Sequence, residues 1–214
     1  MRLIKICLLL LLAATCSVQP LLANSTAEPM KRLLVLGDSL TAGYGLAAGE
    51  TFPEQLERAL QQAGHNVTVI NAGVSGDTTA GGLARLDWAL RDDPQLVIVE
   101  LGGNDALRGL PPEETFDNLD AILERLDTSG ISIILTGMQA PRNLGVDYTT
   151  AFDQIYPRLA SKYKVSFYPF FLDGVALDPA LNQADGIHPN SAGVAVIVDR
   201  MLPVLESALE TVNK

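Results

Sequence analysis

The sequence predicts a single α/β domain in three α/β/α layers, doubly wound around a five-stranded, mostly parallel sheet. Beyond residue 30, short aliphatic runs alternate with longer segments whose apolar residues recur at helical spacing. Clusters of glycine and polar residues also follow the aliphatic runs instead of preceding them. The chain has 214 residues, 48% of them hydrophobic, which is enough for one buried core.

The first 27 residues predict a signal peptide, which leaves a domain over residues 28–214. "MRLIK" is basic, "ICLLLLLAA" is apolar but too short to span a bilayer, and small residues follow in "LLANSTA". Cleavage after Ala23 or Ala27 would suit these small residues. An uncleaved anchor and a lipoprotein modified at Cys16 are the alternatives. The prediction is a periplasmic or secreted protein whose mature chain is not inserted in a membrane.

Charge and cysteine content exclude several classes of protein. Cys7 and Cys16 both lie in the N-terminal segment, so no disulfide is expected in the domain. The formal charge is −10 and no basic cluster follows residue 32, which argues against a nucleic-acid partner. The usual spacings of His and Cys metal ligands are absent from the sequence, so neither metal nor cofactor is expected. The expected state is a monomer.

Five aliphatic runs predict the strands in chain order. They cover residues 32–38, 66–71, 95–101, 131–137 and 165–169. Helical periodicity predicts five helices over residues 52–63, 78–92, 114–128, 149–163 and 191–212. Gly64 is expected to end the first helix, and Pro203 is expected to kink the last.

The polar clusters fall where the predicted strands end. Residues 37–39 (GDS), 73–77 (GVSGD) and 102–105 (GGND) follow the first three strands, and residues 185–190 (DGIHPN) precede the last helix. The loops that enter the strands carry only the turn residues of "QQAGHN", "RDDPQ" and "LDTSG". Because ligands of such sheets bind at the carboxyl ends of the strands, the asymmetry predicts an active site at this edge.

Acyl hydrolysis requires a hydroxyl nucleophile, a base, a group that orients the base, and donors for the oxyanion. Ser39 supplies the hydroxyl. Of the two histidines, His65 lies at the opposite edge, whereas His188 follows Asp185 by three residues, a spacing that lets the carboxylate accept a hydrogen bond from Nδ1. We therefore expect Ser39, His188 and Asp185 to be catalytic. The alternatives are a helix cap for Ser39 and a solvated turn for the Asp-His pair.

Three groups are candidate oxyanion donors: the backbone N–H groups of Ser39 and Gly76 and the side-chain amide of Asn104. A turn role would equally explain the glycine and the asparagine. Asp38 and Asp105 are predicted to fix loops. The apolar residues expected near the site, as contacts of an acyl chain, are Leu107, Leu110, Pro111, Met138, Pro141 and Leu144.

Four separated motifs, "GDSL", "GVSGDT", "LGGND" and "DGIHPN", resemble in order and spacing those of the SGNH-hydrolase superfamily, also called GDSL esterases and lipases. The details are most similar to its bacterial multifunctional thioesterases. The resemblance implies a flavodoxin-like fold and the site roles given above, with an acyl-serine intermediate. Implied substrates are small acyl esters, aryl esters, thioesters and lysophospholipids. The resemblance further implies a mobile loop over residues 141–148 that contacts the acyl chain.

Three other functions are weighed against this one. "GYGLAA" satisfies a dinucleotide-binding pattern, but its glycines come several residues after the strand, and the second strand ends on Asn71 where an acidic residue is needed. A carbohydrate deacetylase of the same superfamily would need a polar groove in place of the apolar residues. A noncatalytic binding protein would not need the full set of catalytic groups.

Overall fold

The computed structural model describes residues 29–212. The predicted signal peptide, with Cys7 and Cys16, lies outside the described residues. Within the described part of the chain, no helix combines the length and apolar character needed to cross a membrane.

A single five-stranded sheet with the order β2-β1-β3-β4-β5 forms the centre of the domain. All four neighbouring pairs are parallel. The strands are β1 (Lys31–Gly37), β2 (Val67–Gly73), β3 (Leu96–Glu100), β4 (Ser132–Thr136) and β5 (Ser166–Tyr168). Each lies within two residues of its predicted bounds, so the predicted α/β fold with a five-stranded parallel sheet is confirmed.

Nine α-helices connect and flank the strands of the described chain. They are α1 (Ser39–Ala42), α2 (Phe52–Gln62), α3 (Thr79–Ala84), α4 (Leu86–Ala89), α5 (Gly103–Leu107), α6 (Pro112–Thr128), α7 (Val146–Asp153), α8 (Ile155–Tyr163) and α9 (Ser191–Thr211). Short 3₁₀ turns cover Leu90–Asp92 and Arg142–Leu144. The helices α2 and α9 pack against each other, while α6 packs against both α3 and α8. Because crossovers between parallel strands are right-handed as a rule, this strand order assigns the two groups to opposite faces of the sheet.

The predicted helix over residues 78–92 is interrupted, which corrects that prediction. The backbone of Arg85 leaves helical geometry between α3 and α4, with φ −106° and ψ 3°. Its guanidinium donates to the carbonyls of Ala72 at 2.6 Å and Gly37 at 2.9 Å and pairs with Asp77. The interruption thus accompanies a side chain that binds carbonyls at the ends of β1 and β2.

The predicted helix over residues 149–163 is likewise divided, with Gln154 between α7 and α8. Pro157 has no N–H to donate to the carbonyl of Asp153, so one helical hydrogen bond is missing at this point. Periodicity alone could not reveal either break. The helices α1 and α5 were not predicted, because four or five residues are too few to display a helical period.

The core lies on both sides of the central strands. Residues 33–36 of β1 are wholly inaccessible to solvent, as are residues 97–99 of β3. Strands that are covered on both faces are continuously hydrophobic, which explains why these runs were recognisable in the sequence. Gly64 follows the end of α2 with φ +93° and open space around it, as predicted. The helix α9 continues through Pro203, and the kink there stays a prediction.

The start of α9 is fixed by Asn190, whose side chain accepts a hydrogen bond from the Gly193 N–H at 3.0 Å. A Cβ at Gly193 would lie 2.1 Å from the backbone oxygen of Leu181, in the loop that leads towards His188. The close approach therefore requires glycine in a helix where alanine would otherwise be favoured.

We predict that Gly193→Ala lowers the free energy of unfolding by about 1–3 kcal/mol, because the clash is with a backbone atom. Urea unfolding measures the change. Ser207→Ala, at an exposed position of the same helix, is the matched control and should be neutral or slightly stabilising. Equal effects of the two substitutions would contradict the close-packing argument.

Candidate active site

Ser39 stands where β1 ends and α1 begins. Asp38 is the N-cap of α1 and accepts a hydrogen bond from the Leu40 N–H at 2.9 Å. A Cβ at Gly37 would lie 2.2 Å from the Thr41 hydroxyl and 2.8 Å from a carboxyl oxygen of Glu100. The residue that precedes Asp38 must therefore be small, and Ser39 is presented at the carboxyl edge of the sheet.

His188 joins Ser39 across 149 positions of sequence. Its Nε2 lies 2.9 Å from the Ser39 hydroxyl, and its Nδ1 lies 2.7 Å from a carboxyl oxygen of Asp185. With Nδ1–H donating to the carboxylate, Nε2 is left to accept the proton of the hydroxyl. The structure thus brings together the three residues that the sequence singled out as nucleophile, base and orienting group.

The Asp185 carboxylate is held in its ionised form. One oxygen accepts hydrogen bonds from the backbone N–H groups of Ile187 at 2.9 Å and His188 at 3.0 Å. Together with the bond to the imidazole, these donors lower the pKa of Asp185 to about 2, with the His188 N–H contributing most. The carboxylate therefore stays charged at any pH where the site would operate.

Asn104 enters from the third strand, as the second residue of α5. Its side-chain amide donates to Asp38 at 2.8 Å and lines the same cavity as Ser39. Gly102 before it has φ +109°, and a Cβ there would lie 2.1 Å from the Tyr156 hydroxyl. Because one amide hydrogen is used by Asp38, the second is available to a ligand.

Gly76 occupies the turn after β2 with φ +84°, which accounts for glycine at this position. Its carbonyl accepts a hydrogen bond from Arg108 at 2.7 Å. Among the hydrogen bonds of residues 29–212, none is donated by the backbone N–H of Gly76 or of Ser39. Gly76 is not one of the residues that line the cavity at Ser39.

The two acidic neighbours of the motifs fix loops, as predicted. Asp105 is buried and accepts hydrogen bonds from the backbone and hydroxyl of Thr79 at 2.9 and 2.5 Å. Asp38 binds Leu40 and Asn104 as described above. His65 lies apart, 3.6 Å from Glu206, which agrees with its predicted position at the opposite edge.

A further buried carboxyl group, which the sequence did not reveal, lies beneath Asp38. Glu100 is wholly buried at the end of β3, and one of its oxygens accepts a hydrogen bond from the Asp38 N–H at 3.3 Å. Burial, followed by the nearby charge of Asp38, raises the pKa of Glu100 well above its usual value. Burial also raises the pKa of Asp38 to about 6. Of this pair, Asp38 therefore loses its proton first and Glu100 retains its proton more strongly.

A cavity of about 190 Å³ opens beside Ser39, His188 and Asn104. Six apolar side chains contribute to its lining: Leu40, Leu107, Met138, Pro141, Leu172 and Ile187. Within residues 29–212, no cluster of three or more His, Cys, Asp or Glu side chains could hold a metal ion. The arrangement suits a mostly apolar ligand whose reacting group lies at the hydroxyl.

The predicted acyl contacts divide into two groups. Leu107, Met138 and Pro141 line the cavity, whereas Leu110 and Leu144 are not among its lining residues, so an acyl contact by these two stays a prediction. The Leu110 carbonyl accepts a hydrogen bond from Tyr148, and Leu144 lies in the 3₁₀ turn after Pro141. Pro111, the N-cap of α6, is also outside the lining.

Three of the six apolar lining residues were missed by sequence reasoning: Leu40, Leu172 and Ile187. Leu40 and Ile187 are immediate neighbours of Ser39 and His188, so adjacency to a predicted catalytic residue was the available signal. Leu172 follows the carboxyl end of β5, where the rule for strand ends could have placed it.

We predict that Glu100→Gln stabilises the protein increasingly as pH rises. In the folded protein, the neutral Glu100 carboxyl keeps a proton that the unfolded chain releases. The contribution of this carboxyl to stability is therefore complete below its pKa in the unfolded chain and is lost at higher pH. As the pH rises above the unfolded pKa of glutamate, the free energy of unfolding of the variant should therefore rise relative to that of the parent.

Urea unfolding at several pH values measures this difference. Glu114→Gln, at an exposed position of α6, is the control and should show no such trend. A pH-independent difference for Glu100→Gln would mean that Glu100 is ionised in the folded protein.

Residues 35–196 match the GDSL-like lipase/acylhydrolase family. Esterase TesA of Pseudomonas aeruginosa is 39% identical over 200 residues, which cover 93% of this chain and 98% of that protein. Thioesterase 1/protease 1/lysophospholipase L1 of Escherichia coli K12 is 42% identical over 175 residues, covering 81% of this chain and 83% of the relative.

Solved structures agree with the sequence relatives. The crystal structure of TesA superposes with a TM-score of 0.79 at 40% identity, over 83% of this chain and 99% of that one. AlinE4, a SGNH-hydrolase family esterase, gives a TM-score of 0.72 at 50% identity, over 85% of this chain and 97% of that one. The chain therefore belongs to the GDSL-like lipase/acylhydrolase family.

Proposed function

We propose that the protein is a serine hydrolase that cleaves carboxylic esters and thioesters of acyl chains, with Ser39 as the nucleophile. The observation that carries the proposal is the continuous chain of contacts from Asp185 through His188 to the Ser39 hydroxyl, at 2.7 and 2.9 Å, which ends in an apolar cavity. Nucleophile, base and orienting group in this order are the parts of an acyl-transfer site.

The reaction begins when Ser39 Oγ attacks the acyl carbonyl carbon and its proton passes to His188 Nε2. Asp185 holds the imidazole tautomer and stabilises the imidazolium that forms. The tetrahedral oxyanion is bound by the Ser39 N–H, the Gly76 N–H and the free amide hydrogen of Asn104. Removal of one such donor typically lowers kcat by about 10²–10³-fold.

Collapse of the intermediate breaks the bond to the leaving group. His188 gives its proton to the departing alcohol or thiol, and the acyl group remains as an ester of Ser39. His188 next takes a proton from water, which attacks the acyl-serine, and a second collapse releases the carboxylic acid and restores the hydroxyl. No step requires a cofactor.

The residues that line the cavity favour an acyl chain as the bound group. Its apolar lining offers hydrophobic contact along a hydrocarbon, and Leu107 is 55% exposed at that site. The arylesterase of Vibrio mimicus, 42% identical over 78% of this chain and 84% of that protein, supports aryl esters as substrates. The thioesterase/lysophospholipase of Escherichia coli supports thioesters and lysophospholipids. An acetylated sugar would need polar partners over more of the lining, so the deacetylase alternative is less well supported.

We also infer that the protein is exported to the periplasm or secreted, from the basic and apolar residues of the first 27 positions. N-terminal sequencing of the protein recovered outside the cytoplasm tests this inference. A mature start within residues 24–28 supports it, and retention of Met1 contradicts it.

We predict that Ser39→Ala lowers kcat for acyl esters by about 10⁴-fold or more, and that Asp185→Asn lowers it by about 10⁴-fold. The assays use aryl esters of increasing acyl length, an acyl thioester, a lysophospholipid and an acetylated sugar. An activated alkyl phosphonate should add one phosphonyl group to the parent at Ser39 and none to Ser39→Ala, as measured by mass spectrometry. Full activity of Ser39→Ala would refute the proposed nucleophile, and activity confined to the acetylated sugar would reverse the substrate class.

We predict that Leu107→Ala reduces the preference for octanoyl over acetyl aryl esters by about 3–10-fold in kcat/KM, because an acyl contact is removed from the cavity. Leu144→Ala is the matched control, since this leucine does not line the cavity. The preference of this variant for octanoyl over acetyl esters should stay within about twofold of that of the parent. Equal losses in the two variants would instead support the loop contact that the sequence suggested.

A further inference from the structure

An aromatic ring rests against the imidazole of His188. The ring centroids of Tyr44 and His188 are 4.6 Å apart, and their planes are inclined by 38°. Tyr44 lies just beyond α1 and is 54% exposed. His188 therefore has a third contact besides Ser39 and Asp185, and this contact comes from the loop that follows the nucleophile.

Gln183 ties this loop to the backbone around His188. Its side-chain Nε2 donates to the carbonyl of Tyr44 at 2.8 Å and to the carbonyl of Pro189 at 3.0 Å. Its backbone N–H donates to the carbonyl of His188 at 2.7 Å. One residue thus binds the peptide groups of both ring-bearing residues and of Pro189.

Both sides of Gln183 are themselves fixed. The neighbouring Asn182 is buried and donates to the carbonyls of Val175 and Asp178, at 2.7 and 2.8 Å. On the other side, a Cβ at Gly45 would lie 2.1 Å from the Gln183 side-chain oxygen. A side chain at position 45, beside Tyr44, would therefore displace the Gln183 amide, and the φ of +73° at Gly45 also favours glycine there.

We propose that Tyr44 and Gln183 are positioning residues that clamp the His188 imidazole onto the Ser39 hydroxyl. The inference rests on the proposed function, because it assigns a purpose to the contact only if His188 transfers the Ser39 proton. Gln183 sets the relative position of the two loops, and the Tyr44 ring limits rotation of the imidazole.

The tyrosine ring also attracts the positive charge that His188 acquires during the reaction. When His188 takes the Ser39 proton it becomes a cation, and an aromatic ring whose centroid lies within about 6 Å attracts a cation through its quadrupole. The attraction is stronger in the transition state than in the resting enzyme, so it raises kcat and leaves KM nearly unchanged. Neither Tyr44 nor Gln183 lines the cavity at Ser39, which is a second reason to expect little change in KM.

The first test compares Tyr44→Phe with Tyr44→Leu, using a short-chain aryl ester. Tyr44→Leu keeps apolar bulk but removes the ring, and kcat should fall by about 10-fold with KM within about twofold. Tyr44→Phe keeps the ring and should retain kcat within about twofold. Trp88→Leu, at a 66%-exposed position outside the cavity lining, is the control for loss of a surface aromatic.

The second test disturbs the clamp from either side of Gln183. Gln183→Met removes the two side-chain hydrogen bonds at nearly constant volume, and Gly45→Ala pushes against the unchanged side chain. Both should lower kcat by about 5–20-fold without raising KM, if each loosens His188 by the loss of about one hydrogen bond. Urea unfolding of each variant measures the fraction of the protein that is folded under the assay conditions. The value of kcat is then calculated from the concentration of folded enzyme.

The outcomes separate this inference from the proposed function. Parent-like kcat in Tyr44→Leu, an equal loss in Tyr44→Phe, or a rise in KM alone would each overturn the clamp, while Ser39→Ala still tests the nucleophile. A kcat loss in Tyr44→Leu that Tyr44→Phe avoids, together with a loss in Gln183→Met, supports it.

Discussion

The site depends on the level at which three neighbouring strands end. In the register of the sheet, Gly37 of β1 pairs with Gly73 of β2 and with Glu100 of β3. The three chains therefore leave the sheet side by side, and Ser39, Gly76 and Asn104 follow within four residues of these positions. A slip of one residue in either pairing would move side chains to the other face and separate the donors from the hydroxyl.

No strand delivers Asp185 directly, and the same holds for His188. Its loop is held by hydrogen bonds at several points, from Gln183 before it to Asn190 at the start of α9. Asp185 contributes twice, because it binds both the backbone and the ring of the histidine. The base is therefore positioned by loop hydrogen bonds, while the nucleophile is positioned by the sheet.

Much of this architecture was accessible from sequence because its signals are local. Continuous aliphatic runs marked the buried strands, polar residues after those runs marked Ser39 and Asn104, and the spacing from Asp185 marked His188. The division at Arg85 and the partnership of Asp38 with Glu100 were not accessible. Each depends on which distant group a side chain meets, and the periodicity of a single segment holds no information about that.

The polar residues of the site lie at one edge of the sheet, and turns lie at the opposite edge. Gly64 and Gly130 mark turns on that edge, both with positive φ and with open space where a side chain would lie. New chain ends or a short affinity tag could be accommodated at such turns, since little packed structure would be displaced. The fold thus offers an anchoring point for surface immobilisation on the side remote from the reacting hydroxyl.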